Sequence, residues 1–94
     1  MRRRIAAVGM LAAAGVLASA VPAQAATGVL VVNGVGHQNP ARGCYPTGLS
    51  PVVVENLTDA RVDVYSAANC QGTVTRQIAA GMSAATVGFS YFVN

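Results

Sequence analysis

Residues 62–72, VDVYSAANCQG, decide the fold class of this chain. Val62 and Val64 alternate with Asp63 and Tyr65, which is the period of a β-strand with one buried face. The cluster AANCQG that follows is rich in turn-forming residues and predicts a hairpin. Other β-type runs are GVLVVN at 28–33, PVVVENL at 51–57, TVTRQI at 73–78 and ATVGFSYFVN at 85–94. Helical periodicity and internal repeats are not apparent after residue 25. The pattern predicts an all-β domain, a small Greek-key sandwich of five or six short strands.

The first 25 residues have the layout of a secretory signal peptide. A basic start, MRRR, precedes an uncharged apolar run at 5–21, and PAQAA then supplies small residues around a cut after Ala25. An uncleaved membrane anchor is the alternative, but the run is short for a span and the cut site follows at once. We predict a signal-peptide helix at 1–25 and a secreted domain at 26–94. No membrane attachment is expected after cleavage.

Removal of the signal peptide changes the charge of the chain. Three of the six arginines lie in MRRR and leave with it. The remaining charged residues are Arg42, Arg61 and Arg76 against Glu55, Asp59 and Asp63, so the net charge of the domain is zero. Binding to a phosphate backbone needs an excess of basic residues. We therefore expect no nucleic-acid partner.

The two cysteines, Cys44 and Cys70, predict one disulfide bond. In an exported chain an even cysteine count indicates a disulfide rather than a metal site or a nucleophile. The cysteines lie 26 positions apart, and closing such a loop stabilises a fold by roughly 3 to 4 kcal/mol. A chain this short buries a small core, so the bond matters for its stability.

Residues 34–50, GVGHQNPARGCYPTGLS, predict the one long loop of the domain. Long loops carry function more often than short ones, and Cys44 would hold this loop in place. His37, Arg42 and Tyr45 are its candidate partner-binding residues, because Arg and Tyr often dominate interface energies. Tyr45 either anchors a partner or shields the disulfide, and Arg42 is either solvated or an anchor.

The sequence gives no support for catalysis. His37 is the only histidine, and a catalytic set would require a serine and an acid to converge on it from unspecified places. Three carboxylates in the domain supply a calcium site poorly. We predict that the protein is not an enzyme and binds no metal or cofactor.

Residues 62–94 resemble a single Greek-key motif of the βγ-crystallin superfamily. An aromatic residue, a hairpin glycine and a later serine recur in that order in the family, and Tyr65, Gly72 and Ser90 match them. The resemblance implies scaffold roles for these residues. The glycine adopts a conformation closed to other residues, the ring packs over the hairpin, and the serine hydroxyl holds the hairpin down.

The match departs from the family at three positions. Cys70 stands where a large aromatic residue is usual before the glycine. Ala85 and Thr86 stand where calcium-binding members carry Asn or Asp. The first half of the chain shows no second copy of the motif. The whole arrangement also resembles small secreted proteins of actinobacteria.

Two functions follow from these resemblances. The first is a secreted binding module, for example an inhibitor of an extracellular enzyme, because several actinobacterial inhibitors share the crystallin-like fold and present disulfide-anchored loops. The second is an extracellular or cell-surface structural protein, since the chain resembles chaplins in size, low charge, two cysteines and the ending VN. Arg61, Asp63 and Arg76 fall within predicted strands, which opposes edge stacking and disfavours the second function. The partner of the first would be an extracellular protein, and the oligomeric state is left open.

Overall fold

The computed structural model describes residues 25–94, so the predicted signal peptide, apart from Ala25, lies outside the described residues. Within this range the chain is all-β, as predicted. The strands are β1 (Gly28–Val32), β2 (Val35–Gln38), β3 (Gly43–Pro46), β4 (Val52–Thr58), β5 (Val62–Tyr65), β6 (Val74–Ile78), β7 (Ser83–Thr86) and β8 (Ser90–Val93). One turn of 3₁₀ helix, Ala68–Cys70, lies between β5 and β6. None of the helices in residues 25–94 has the length and apolar character needed to cross a membrane.

The strands form two four-stranded sheets. Sheet A has the order β2-β1-β4-β7 and sheet B the order β3-β8-β5-β6, with all neighbours antiparallel. In each half of the chain the fourth strand lies beside the first, as in a Greek key. The third strand of each half, β3 or β7, joins the sheet of the other half. The two halves therefore repeat one topology, although their sequences show no obvious repeat.

The predicted long loop at 34–50 is the main correction to the sequence analysis. It contains β2 and β3, which with β7 brings the total to eight strands where five or six were predicted. Both missed strands have four residues and lack a strong apolar run, VGHQ and GCYP. β2 pairs with β1, and β3 pairs with β8. These long-range contacts specify both strands in spite of their weak local β-propensity.

The core lies between the inner faces of the two sheets. In β4 the burial alternates strictly along the strand, and Val52 and Val54 are fully buried. The other core residues are Ala26, Leu30, Val32, Val62, Val64, Ile78, Tyr91 and Val93. Each fully buried branched side chain contributes about 1.5 to 3 kcal/mol. Burial, together with the neighbouring Tyr45, raises the pKa of Tyr91 above its usual value.

Asn56 is the one fully buried amide of the core, and all of its hydrogen-bonding groups are used. Its Nδ2 donates to the carbonyls of Ala60 (2.7 Å) and Ile78 (3.0 Å). Its Oδ1 accepts from the backbone N–H and the hydroxyl of Thr58. These bonds tie β4 of sheet A to the end of β6 in sheet B. Asn56-Leu57-Thr58 has the Asn-x-Thr pattern of a glycosylation site. Because the Asn56 amide is buried and fully hydrogen-bonded, this site is not available in the folded chain.

Candidate functional site

Two loops meet at one end of the sandwich and form the candidate site. Residues 47–50 connect β3 to β4 and residues 87–89 connect β7 to β8; together we call them the loop end. The backbone N–H of Thr47 donates to the carbonyl of Phe89 (3.2 Å), and its hydroxyl donates to the carbonyl of Gly88 (3.1 Å). The N–H of Gly88 donates to the Ser50 hydroxyl (3.2 Å). These bonds join one loop from each half of the chain into a single unit.

The loop end is anchored on sheet B by Gly88. This glycine is buried, and an added Cβ would overlap the Val64 side chain and lie 2.9 Å from the Tyr65 carbonyl. The N–H of Phe89 donates to the same carbonyl at 3.0 Å. Only glycine permits this close approach. The backbone of residues 87–89 is thus fixed directly against β5.

Large apolar side chains project from this fixed backbone. Leu49 is 66% exposed, Val87 61% and Phe89 58%. Exposed apolar side chains grouped on neighbouring loops are one mark of a protein contact surface. The loop end therefore has the composition of a protein contact surface.

A shallow groove of about 260 Å³ lies beside Phe89. Its lining residues are Cys44, Tyr45, Pro46, Ala68, Asn69 and Phe89. Pockets for drug-sized ligands usually enclose about 300 to 1,000 Å³. The groove is smaller than this and open, so it suits one or two side chains of a protein.

The predicted disulfide is confirmed, and it joins the two walls of the groove. Cys44 of β3 is bonded to Cys70 of the 3₁₀ helix, with their Cα atoms 6.1 Å apart. The 3₁₀ helix otherwise belongs to the connection between β5 and β6. The bond thus fixes the distance between the β3 wall and the wall formed by Ala68 and Asn69.

The three residues of the predicted scaffold motif surround this same connection. Gly72 has φ +80°, a conformation that favours glycine, and an added Cβ would overlap the Ser66 hydroxyl. The Ser90 hydroxyl donates to the Ala67 carbonyl and accepts from the Cys70 N–H (2.8 Å). Ser90 also pairs with the half-buried Tyr65 across β5 and β8. The serine therefore fastens the hairpin connection onto sheet B.

The three predicted partner-binding residues lie apart. His37 is exposed on β2 at the edge of sheet A. Arg42 is exposed just before β3, and its guanidinium carbon lies 5.2 Å from the centroid of the Phe92 ring. Tyr45 is half-buried, stacks on Tyr91 with a 5.4 Å centroid distance, and donates its hydroxyl to the Ala41 carbonyl. Of the three, only Tyr45 lines the groove, and its ring is part of the core packing.

The predicted loop 34–50 includes residues 47–50 of the loop end, but the sequence analysis did not single out Leu49, Val87 or Phe89. A signal for them does exist: Gly48-Leu49-Ser50 and Gly88-Phe89-Ser90 have the same pattern of glycine, large apolar residue and serine. Each triplet comes shortly before or at the start of the fourth strand of its half. An apolar residue between turn formers has no sheet face on which to be buried, so exposure could have been inferred from this pattern.

Among residues 25–94, no three His, Cys, Asp or Glu side chains lie close enough to hold a metal ion. The chain matches no protein-family model, no curated protein and no solved structure.

Proposed function

We propose that this chain is a secreted binding module that captures another extracellular protein through its loop end and the adjoining groove. The exposure of Leu49, Val87 and Phe89 on hydrogen-bonded loops is the observation that carries the proposal. Secretion is supported by the signal-peptide pattern of residues 1–25 and by the disulfide, which is typical of oxidising compartments. The topology of the two halves supports the βγ-crystallin resemblance, and we extend that resemblance to the whole domain.

The rigidity of the loop end favours binding. Ordering a mobile side chain on association costs about 0.5 to 1.5 kcal/mol. Here the bonds of Thr47 and Ser50 hold both loops, and the disulfide holds the walls of the adjoining groove, before any partner arrives. A rigid apolar loop beside a small groove is a geometry suited to occupying the cleft of a second protein, and inhibition of an extracellular enzyme is one outcome of such binding.

The partner surface should be apolar at its centre, with an exposed side chain that enters the groove. The groove is lined mainly by apolar and aromatic residues, with Asn69 as its one amide side chain, and has no charged residue. Arg42 stands on the outer face of sheet B, next to the strand that carries Cys44. An acidic residue at the rim of the partner would complement this arginine and raise the association rate.

The test is an affinity capture of secreted proteins with the purified chain and three variants. We expect Leu49→Thr and Phe89→Ser each to lower partner affinity at least tenfold, because each removes an apolar contact at the centre of the surface. The matched control is Leu57→Thr, a leucine that is 58% exposed on the outer face of sheet A, away from the loops. All three variants should melt within a few degrees of the parent, since exposed side chains contribute little to stability.

Two results would contradict the proposal. One is a partner whose affinity falls with Leu57→Thr and not with the loop variants, which would place the site on sheet A. The other is failure of the immobilised chain to retain any protein from its own culture medium. If the captured partner is an enzyme, activity assays with and without the chain separate inhibition from simple binding.

A structural protein that assembles outside the cell is the second candidate function. Its support is the outer face of sheet A, where Val29, Val31, Val53 and Leu57 are at least partly exposed around the single charge of Glu55. A sheet with one face in water normally carries polar residues on that face, so these apolar residues are unusual there. Against assembly, Arg61 forms an ion pair with Asp63 on the outer face of sheet B (2.9 Å). Thioflavin fluorescence that rises with concentration and time would favour this second function.

A further inference from the structure

The free edge of sheet A is formed by β2, a strand of four residues without a charge, a proline or a bulge to oppose pairing. All four residues, Val35–Gln38, are exposed, and neither β2 nor its neighbour β1 carries a charged residue. Among residues 25–94, no strand lies against the outer side of β2. Edge strands are ordinarily protected by charge, proline or a bulge, because they present unpaired backbone groups.

The direction of these unpaired groups follows from the β1–β2 hairpin. Val32 pairs with Val35 across the two-residue turn at Asn33 and Gly34, and the residues flanking such a turn exchange both backbone hydrogen bonds. Hydrogen-bonded pairs alternate along the hairpin, so the backbone N–H and C=O of His37 are directed toward β1. The next such pair shows the same alternation, because the Asn39 N–H donates to the Gly28 carbonyl (2.7 Å). Gly36 and Gln38 therefore direct their N–H and C=O groups outward.

The other sheet edges are less open to pairing. In sheet B, β3 contains Pro46, which has no N–H, and β6 carries Arg76 and pairs with β5 through an irregular register. In sheet A, the opposite edge strand β7 packs against β6 across the sandwich. The contrast singles out β2 as the edge on which another strand can be added.

We propose that β2 pairs antiparallel with β2 of a second copy and forms a closed dimer. A two-fold axis through His37 places Gly36 of one copy opposite Gln38 of the other, so that all outward groups of both residues find partners. In every other two-fold register, at least one of these two residues lacks a partner for some of its outward N–H and C=O groups. The domain has a net charge of zero, so the copies do not repel each other. The dimer continues sheet A across both copies, and its backbone pairing uses none of residues 47–50 or 87–89, so the proposal does not rest on the proposed binding function.

The two histidines on the axis define a specific test of the register. In a non-hydrogen-bonded antiparallel pair the facing Cβ atoms lie about 4.5 to 5.5 Å apart, and like charges there are destabilising. His37→Lys therefore opposes pairing, whereas His37→Gln preserves it. Gln38→Pro removes an outward N–H without affecting the bonds to β1, and Gln38→Ala is its matched control.

The experiment is sedimentation equilibrium on the protein purified from cells, with the N terminus of each preparation determined by intact mass. We expect the parent, Gln38→Ala and His37→Gln to have twice the mass of one chain. We expect Gln38→Pro to have the mass of a single chain and His37→Lys to dissociate at a several-fold higher concentration than His37→Gln, with melting curves that show both folded. In the parent, the amide of Gly36 should exchange with deuterium at least tenfold more slowly than in Gln38→Pro.

Four outcomes would overturn the dimer or its register. A parent that remains a single chain at its highest attainable concentration excludes the dimer. A Gln38→Pro variant that still dimerises moves the interface elsewhere, and a Gln38→Ala variant that dissociates assigns it to a side chain instead of the backbone. A His37→Lys dimer that dissociates at the same concentration as the His37→Gln dimer excludes the register centred on His37.

Discussion

Gly72 and Gly81 have almost the same backbone conformation but different surroundings. Their φ angles are +80° and +82°. A Cβ added at Gly72 would overlap the Ser66 hydroxyl, whereas at Gly81 it would meet nothing within 4 Å. The Ser66 hydroxyl cannot simply move away, because it accepts a 2.9 Å hydrogen bond from the Thr73 N–H. The two glycines therefore separate the effect of conformation from the effect of crowding.

We expect Gly81→Ala to lower the free energy of unfolding by about 1 kcal/mol, the usual penalty for a side chain at positive φ. Gly72→Ala should cost more, about 2 to 4 kcal/mol, because it also breaks the bond between Ser66 and Thr73. Urea denaturation of both variants measures the difference. Equal losses would mean that the hairpin connection between β5 and β6 adapts, and that Gly72 is required for its conformation alone.

Single residues also show what local sequence could and could not predict. The cysteine pairing was predictable, since two cysteines in an exported chain have one way to pair. The environment of Tyr45 was not predictable from local sequence. Its stacking on Tyr91 requires β3 and β8 to lie side by side, and the two tyrosines are far apart in sequence. Exposure of Arg42 was foreseen, whereas its position over Phe92 depends on the same pairing.

At the level of elements, the strong apolar runs became strands and the weak ones were missed. The runs at 28–33, 51–57 and 73–78 correspond to β1, β4 and β6 within one or two residues, and the alternating residues 62–65 form β5. β2 and β3 were interpreted as loop because glycine and proline flank them and alternation is short. Their pairing with β1 and β8 supplies the stability that the local sequence lacks.

The disulfide directly connects two elements that are each also bonded to β8. It joins β3, an edge strand of four residues, to a single 3₁₀ turn. We expect the Cys44→Ala/Cys70→Ala double variant to lose roughly 3 to 4 kcal/mol of stability, from greater freedom of the unfolded chain. Chemical denaturation with and without reductant measures this loss.

The control for the disulfide experiment is the reductant itself. Reduction should lower the unfolding midpoint of the parent to that of the double variant and leave the double variant unchanged. Because the bond spans the groove, the double variant should also bind the captured partner more weakly than the parent does. A midpoint unaffected by either change would show that packing of β3 on β8 is sufficient to hold the groove.

At the level of the whole molecule, the exchange of β3 and β7 determines where the candidate site forms. Each exchanged strand leads into one of the two loops of the loop end, so both loops arise where the halves cross. Alternation of apolar residues shows which face of a strand is buried, but not which sheet receives it. The sequence therefore predicted the fold class, while the meeting of residues 47–50 with 87–89 required the structure.

The central claim is that the loop end is the surface that binds another protein. The most direct measurement is amide hydrogen exchange of the chain alone and in complex with its captured partner. We predict that protection on binding is concentrated in residues 47–50, 68–70 and 87–89, with little change in the outer face of sheet A. Protection confined to β1, β2 and β4, with the loop end exchanging as in the free chain, would contradict the claim.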